Sequence, residues 1–180
     1  PILGRTSWAI VSLSLANAQK LIDDSVSKGY NAIECAMPHH WAQANQRPYA
    51  NNGASLPFTT KLGGGAWTGG LDPYGNINTD APDFTTMNEA YWSHADSIID
   101  YAASKGVLVL VFPCYNGSGG GVEGWMQEME ANGTTKCQTY GTNIGTRWAA
   151  KKNIVRFQKE GDFFVYNGRD KNLKVWAKDT

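Results

Sequence analysis

One stretch restricts this chain more than any other: a helix stopped by glycine that runs directly into an apolar strand, between Asn88 and Tyr115. Asn88-Glu89-Ala90-Tyr91 opens the helix, and Thr86 with Glu89 three residues later has capping-box spacing. Tyr91, Ala95, Ile98, Ile99 and Ala102 recur at the interval of one buried helical stripe. Lys105-Gly106 ends it, since Lys suits the negative helix terminus and Gly the left-handed cap. Val107-Leu108-Val109-Leu110-Val111-Phe112 follows, an unbroken apolar run of the kind found in strands covered on both faces. Pro113 closes it. Cys114-Tyr115-Asn116 and the glycines of 117–121 form the loop beyond, at the strand end where parallel α/β sheets place their chemistry.

The same order occurs earlier. Leu15, Ala18, Leu21, Ile22 and Val26 make a helical stripe, Ser27-Lys28-Gly29 stops it, and Tyr30 to Met37 runs as a strand into Pro38. A polar aromatic loop follows each strand: His39-His40-Trp41 in one unit, Tyr115-Asn116 in the other. Repeated helix-then-strand units predict right-handed crossovers and a parallel sheet. The fold class is α/β.

A chain of 180 residues can bury a substantial core as one domain. Its formal charge of zero and lack of a basic tract give no electrostatic case for nucleic acid or an anionic membrane surface. No apolar run approaches membrane-spanning length. Seven tryptophans and eight tyrosines stand against three histidines, an aromatic richness that suits sugar-binding clefts as well as cores and interfaces. Cys35, Cys114 and Cys137 fit neither zinc spacing nor a dense disulfide framework. Buried free thiols are the favoured reading, with a Cys35–Cys114 bridge between neighbouring strands as the alternative. Pro1 is not a translation start, which a cleaved signal peptide or a trimmed chain would explain.

Ile2-Leu3-Gly4 is the tail of a first strand that opens into Arg5-Thr6-Ser7-Trp8. Residues 38–86 are a long insertion rich in Asn, Gly, Pro and aromatics, a length that usually serves a site or lid. Within it Gly63-Gly64-Gly65 marks a hinge or close backbone approach, without the lysine of a phosphate loop. A short helix over 124–130 breaks at Asn132-Gly133. A longer one then runs from about Thr135 to Ala150, with Cys137, Tyr140, Ile144 and Trp148 on one stripe. Gly141 and Gly145, costly inside a helix, are explained by close packing on the sheet. Asn153-Ile154-Val155 is the fourth strand. Residues 159–180 read as a β-hairpin, set apart from the βα units of 1–158.

These residues resemble the apiosidase-like glycoside hydrolases. The resemblance is carried by Leu3-Gly4 through Thr6-Ser7-Trp8, Asp23-Asp24 to Ile33, His39-His40, Asn88 to Trp92 with His94-Ala95-Asp96, Gly124 to Met129, Tyr140-Gly141 and Asn153-Ile154-Val155. It implies a (β/α)8 barrel that hydrolyses plant cell-wall polysaccharides with two carboxylates. Such barrels need about 250 residues, so the resemblance implies a partial, half barrel: four βα units plus the C-terminal hairpin. The family's acid/base carboxylate lies just after the fourth strand, where Glu160-Gly161-Asp162 stands here; the nucleophile of a late strand has no counterpart.

Glycoside hydrolysis needs one carboxylic acid at the leaving oxygen. A second carboxylate lies about 5–5.5 Å away for retention or about 6.5–9.5 Å for inversion. Glu34, Glu160 and Asp162 are the catalytic candidates. Glu34 interrupts an apolar strand, where a carboxylate needs a partner, and the structural alternative pairs it with Arg5 or Arg147. Glu160 and Asp162 serve equally as turn residues, and Glu128 as a brace of its own helix. Trp8, His39, His40, Trp41, Tyr115 and Trp125 are the candidate sugar contacts. Each has a loop or core role as its alternative. The two adjacent histidines lack a third ligand, so no metal and no cofactor is expected. No Gly-x-Ser-x-Gly elbow occurs, and a Cys114 thiol paired with His39 or His40 is the weaker nucleophilic reading. The expectation is a secreted or periplasmic glycosidase. The alternative is a non-catalytic sugar-binding fragment. An open sheet edge is unfavourable, so either the hairpin or a second copy is expected to cover it.

Overall fold

The computed structural model describes residues 1–40, 55–69, 81–116 and 124–156. The 159–180 hairpin, the glycine loop, Trp41, Glu160 and Asp162 lie outside them. The elements run β1 (Gly4–Thr6), a 3-10 turn (Ile10–Ser12), α1 (Leu15–Ser27), β2 (Ala32–Ala36), α2 (Glu89–Ser104), β3 (Leu108–Phe112), α3 (Met126–Trp148) and β4 (Ile154–Arg156). The four strands form one sheet in chain order, every neighbouring pair parallel. That is the α/β arrangement expected of successive βα units.

The register separates two faces. Ile33, Cys35, Val109 and Val111 point toward the helices and are buried with Ile22, Ile98 and Ile99. Gly4, Thr6, Ala32, Glu34, Leu108 and Leu110 share the opposite face. Along β3 burial alternates, with Val109 and Val111 fully buried and Leu108, Leu110 and Phe112 half-buried. The run expected to be covered on both faces is thus fully covered on its helix side only.

The helices end where the sequence supplies caps. Ser14 accepts from the Asn17 amide at the start of α1. At α2 the cap is Asn88, whose Oδ1 accepts from the Ala90 amide. The Thr86–Glu89 capping box is not formed, because the Thr86 hydroxyl binds the insertion instead, meeting the Thr60 amide and the Asp83 carbonyl. Gly29 and Gly106 follow α1 and α2 at positive φ. Val26, placed in the α1 stripe by spacing, is 37% exposed; Ser25 is the buried residue there, its hydroxyl donating to the Leu21 carbonyl. Gly133, at φ 71° and ψ 173°, interrupts α3 where the break was expected. Cys137, Tyr140, Ile144 and Trp148 are all buried. At Gly145, however, no described atom lies within 4 Å of where a Cβ would stand, so close packing on the described sheet is not its reason.

The described part of the insertion is core, not cover. Phe58 and Phe84 stack at 4.9 Å, Phe58 meets Tyr140 at 5.5 Å, and Trp67 is buried beside them. Trp92 Nε1 donates to the Pro57 carbonyl. Gly63, Gly64 and Gly65, all at positive φ, turn the chain so that Thr60 pairs with Ala66. They form a tight turn and bring no backbone into close approach.

Candidate functional site

Backbone bonds line up the C-terminal strand ends. The Ala36 amide donates to the Trp8 carbonyl and the Met37 amide to the Phe112 carbonyl. Three successive strand-to-helix loops therefore open on one edge: Ser7-Trp8 after β1, Pro38-His39-His40 after β2, and Cys114-Tyr115-Asn116 after β3. The Met37–Pro38 bond is cis.

Trp8, Phe112 and Tyr115 form a half-buried aromatic group there, with Trp8 5.2 Å from Phe112 and edge-on to Tyr115 at 4.9 Å. Trp125 does not join it. It is fully buried, packs edge-on to Phe58, and donates from Nε1 to the Pro38 carbonyl at 3.1 Å. Its indole lies in the core, as buried as His39 and His40.

His39 and His40 are both 1% exposed. His40 packs edge-on to Trp125 at 4.8 Å, and its Nε2 lies 3.1 Å from a carboxyl oxygen of Glu128. Among the described residues, neither ring nitrogen of His39 has a hydrogen-bond partner. Burial, with the neighbouring His40 adding to it, pushes the His39 imidazole down to about 4, so at neutral pH the ring is uncharged, one nitrogen a donor and the other an acceptor. The Ser7 hydroxyl and the Asn116 side-chain oxygen are likewise buried and without partners among the described residues. Buried polar atoms are normally satisfied, and here three such side chains come one from each loop. Sequence reasoning passed over Ser7 and Asn116, although a polar residue just past a strand's C-terminal end was the available signal.

Glu34 stands at the centre of β2 and not at its end. It shares the inner face with Thr6 and Leu110, two residues before Ala36, which pairs with Phe112. Thr6 donates to its carboxylate at 2.9 Å. The two arginines considered as its partners are engaged elsewhere: Arg5 with Asp24, and Arg147 with Glu89 and Asp96. Arg5 points to the helix side of the sheet, which puts it out of reach of Glu34.

The thiol–imidazole alternative is not built. Cys114 is buried with its sulfur 3.1 Å from the Met129 sulfur, and burial raises its thiol well above the ordinary range. None of the three cysteines is in a disulfide, and all three are buried. Among the described residues no group of His, Cys, Asp or Glu is arranged to hold a metal ion, and no helix is long and apolar enough to cross a membrane.

Residues 2–178 match the family described as apiosidase-like, catalytic domain. The chain belongs to the apiosidase-like catalytic domain family. No curated protein matches it significantly. Among solved structures, a putative glycoside hydrolase from Bacteroides vulgatus ATCC 8482 aligns at a TM-score of 0.63 with 17% identity, over 98% of this chain and 31% of its own length. A glycoside hydrolase family 5 structure from the same organism gives 0.54 and 16%, over 98% of this chain and 31% of its own. A further glycoside hydrolase gives 0.52 and 16%, over 86% and 28%. The apiosidase-like chain thus spans about 30% of the length of the proteins it resembles. At these identities the likeness speaks for the fold: a partial barrel of the glycoside hydrolase type.

Proposed function

We propose that this apiosidase-like chain binds a plant cell-wall polysaccharide or oligosaccharide at the C-terminal edge of its sheet, and that its carboxylates hydrolyse the glycosidic bond. The observation that carries the reading is the set of buried polar atoms on Ser7, His39 and Asn116, one per loop and unpartnered among the described residues, beside the half-exposed Trp8–Tyr115 pair. Sugar hydroxyls donate and accept, which suits a neutral imidazole, a hydroxyl and an amide oxygen. Sugar ring faces suit indole and phenol. The acid and its partner carboxylate are drawn from Glu34, Glu160 and Asp162, one protonated at the leaving oxygen and the other acting as base or nucleophile. Trp41 and His40 complete the contacting set. Such a substrate is met outside the cytoplasm, in the secreted or periplasmic space.

Turnover of a panel of plant polysaccharides and aryl glycosides tests this, run beside Glu34→Gln, Glu160→Gln and Asp162→Asn. Loss of turnover in one or two folded variants is the expected result; equal turnover in all three overturns the carboxylate assignment. A second reading, sugar binding without hydrolysis, is favoured by one observation. Among the described residues, the three strand-end loops carry no carboxylate, and Glu34 is hydrogen-bonded to Thr6. Retention on polysaccharide with no turnover on any substrate would select it.

A further inference from the structure

We propose that Glu128 is a positioning residue of the sugar site: from the first turn of α3 it fixes His40, and through His40 it sets the adjacent His39 against a sugar hydroxyl. The proposal rests on the sugar-binding reading above. Its geometric basis does not.

An acidic residue in the first turn of a helix is favourable, but a solvated one would serve as well. Glu128 is instead 2% exposed, and burying a carboxyl group is unfavourable without good partners. One of its oxygens meets His40 Nε2 at 3.1 Å; the other is buried with no partner among the described residues. Its backbone is held too, because the Asn132 side-chain amide donates to the Glu128 carbonyl at 2.8 Å and to the Pro82 carbonyl at 2.8 Å. Three residues earlier, Trp125 grips the same loop at the Pro38 carbonyl, and its own amide binds the Tyr115 carbonyl at 2.7 Å. The start of α3 therefore holds the β2 loop on both sides of His39, at Pro38 and at His40, and ties in the β3 loop as well. His39 is the residue between the two grips, and among the described residues both its ring nitrogens are without a partner. A staple with a purely structural role would not leave the residue it encloses unsatisfied; a site that presents an imidazole to a ligand would.

The full chain, 15N-labelled, is the material for the test. Histidine ring correlations are recorded without ligand for the wild type, Glu128→Gln and Glu128→Leu. Affinity electrophoresis through gels containing pectin or arabinoxylan measures sugar binding. Glu128→Gln keeps a hydrogen-bonding group opposite His40 Nε2 and is expected to keep both ring spectra and retention within about threefold of wild type. Glu128→Leu is expected to shift the His39 ring as well as His40 and to weaken retention about tenfold, the size of one hydrogen bond lost at a site. A His39 ring unmoved in folded Glu128→Leu overturns the positioning role. So does a retention loss no larger than the fraction unfolded by circular dichroism. If the wild type is retained on neither polysaccharide, the sugar reading fails, and the ring spectra alone still decide the positioning role. Should Glu128→Leu not fold, Glu128→Asp, one methylene too short to keep the contact, is scored on the same two criteria.

Discussion

At the scale of single residues, His39 makes its own prediction. Its folded value near 4, against an ordinary 6.5, means that between those pH values the unfolded chain binds a proton the folded chain refuses. Stability from this group therefore rises as pH increases from about 4 to about 6.5 and is level above, with a slope of at most about 1.4 kcal/mol per pH unit. Urea unfolding at several pH values across that window should show the slope in the wild type and its loss in His39→Gln. Parallel curves for the two proteins would mean that His39 is not held neutral by burial. Gly145 is the second residue with a consequence of its own. It lies in α3, and no described atom stands within 4 Å of where a side chain would begin. Gly145→Ala should therefore stabilise the protein by about 0.5–1 kcal/mol, through lower backbone entropy in the unfolded chain and better helix propensity. A lowered melting temperature would show that something fills that space.

Between elements, Arg147 ties α3 to two carboxylates of α2. Arg147, in the last turn of α3, donates two hydrogen bonds to Glu89 at 2.8 and 2.7 Å and one to Asp96 at 2.9 Å. Trp148 donates to the other oxygen of Asp96 at 2.8 Å. The bond from Arg147 holds the Glu89 carboxyl down at about 2, with Ser93 adding to it. A lowered carboxylate contributes stability that is present above its ordinary value of 4.5 and is lost as pH falls toward about 2. Because Glu89 is largely exposed, solvent screens much of this. We expect Arg147→Ala to cost about 1–2 kcal/mol at neutral pH and Arg147→Lys to recover only part, since lysine cannot make the two-pronged bond. Thermal melts at pH 7 and in acid check it: the gap between wild type and Arg147→Ala should narrow in acid.

For the whole molecule, the inner sheet face and the outer edges carry the open question of assembly. In the described residues the sheet starts at β1 and ends at β4, and exposed apolar side chains stand near both limits: Ile2 and Leu3 beside β1, and Val155 on β4. Unpaired strand edges with apolar flanks favour further pairing. We expect the chain to cover an edge, either with residues 159–180 or with a second copy. Light scattering separates the two. Twice the 19.6 kDa chain mass, returning to a single mass in Leu3→Lys, indicates a dimer through β1. A single mass that becomes a concentration-dependent dimer when residues 159–180 are deleted indicates the segment.

The βα order, the stop at Gly106, the break at Gly133 and the α3 stripe were legible in the sequence, because periodicity and chain reversal at glycine are properties of neighbouring residues. The family resemblance was legible for the same reason, as short motifs in fixed order. The α2 cap, in contrast, was misassigned to Thr86, because that hydroxyl is taken by the Thr60 amide and the Asp83 carbonyl. What only the tertiary structure decided is which polar groups meet. His40 and Glu128 are 88 positions apart, and Glu34 finds Thr6 across a strand register that no local pattern specifies. Trp125 looked like a loop aromatic and became core because the start of α3 packs beneath the insertion's Phe58 and Phe84. Burial is set by what the rest of the chain brings to a residue, and that is why the elements could be read from the sequence while the partners within the site could not.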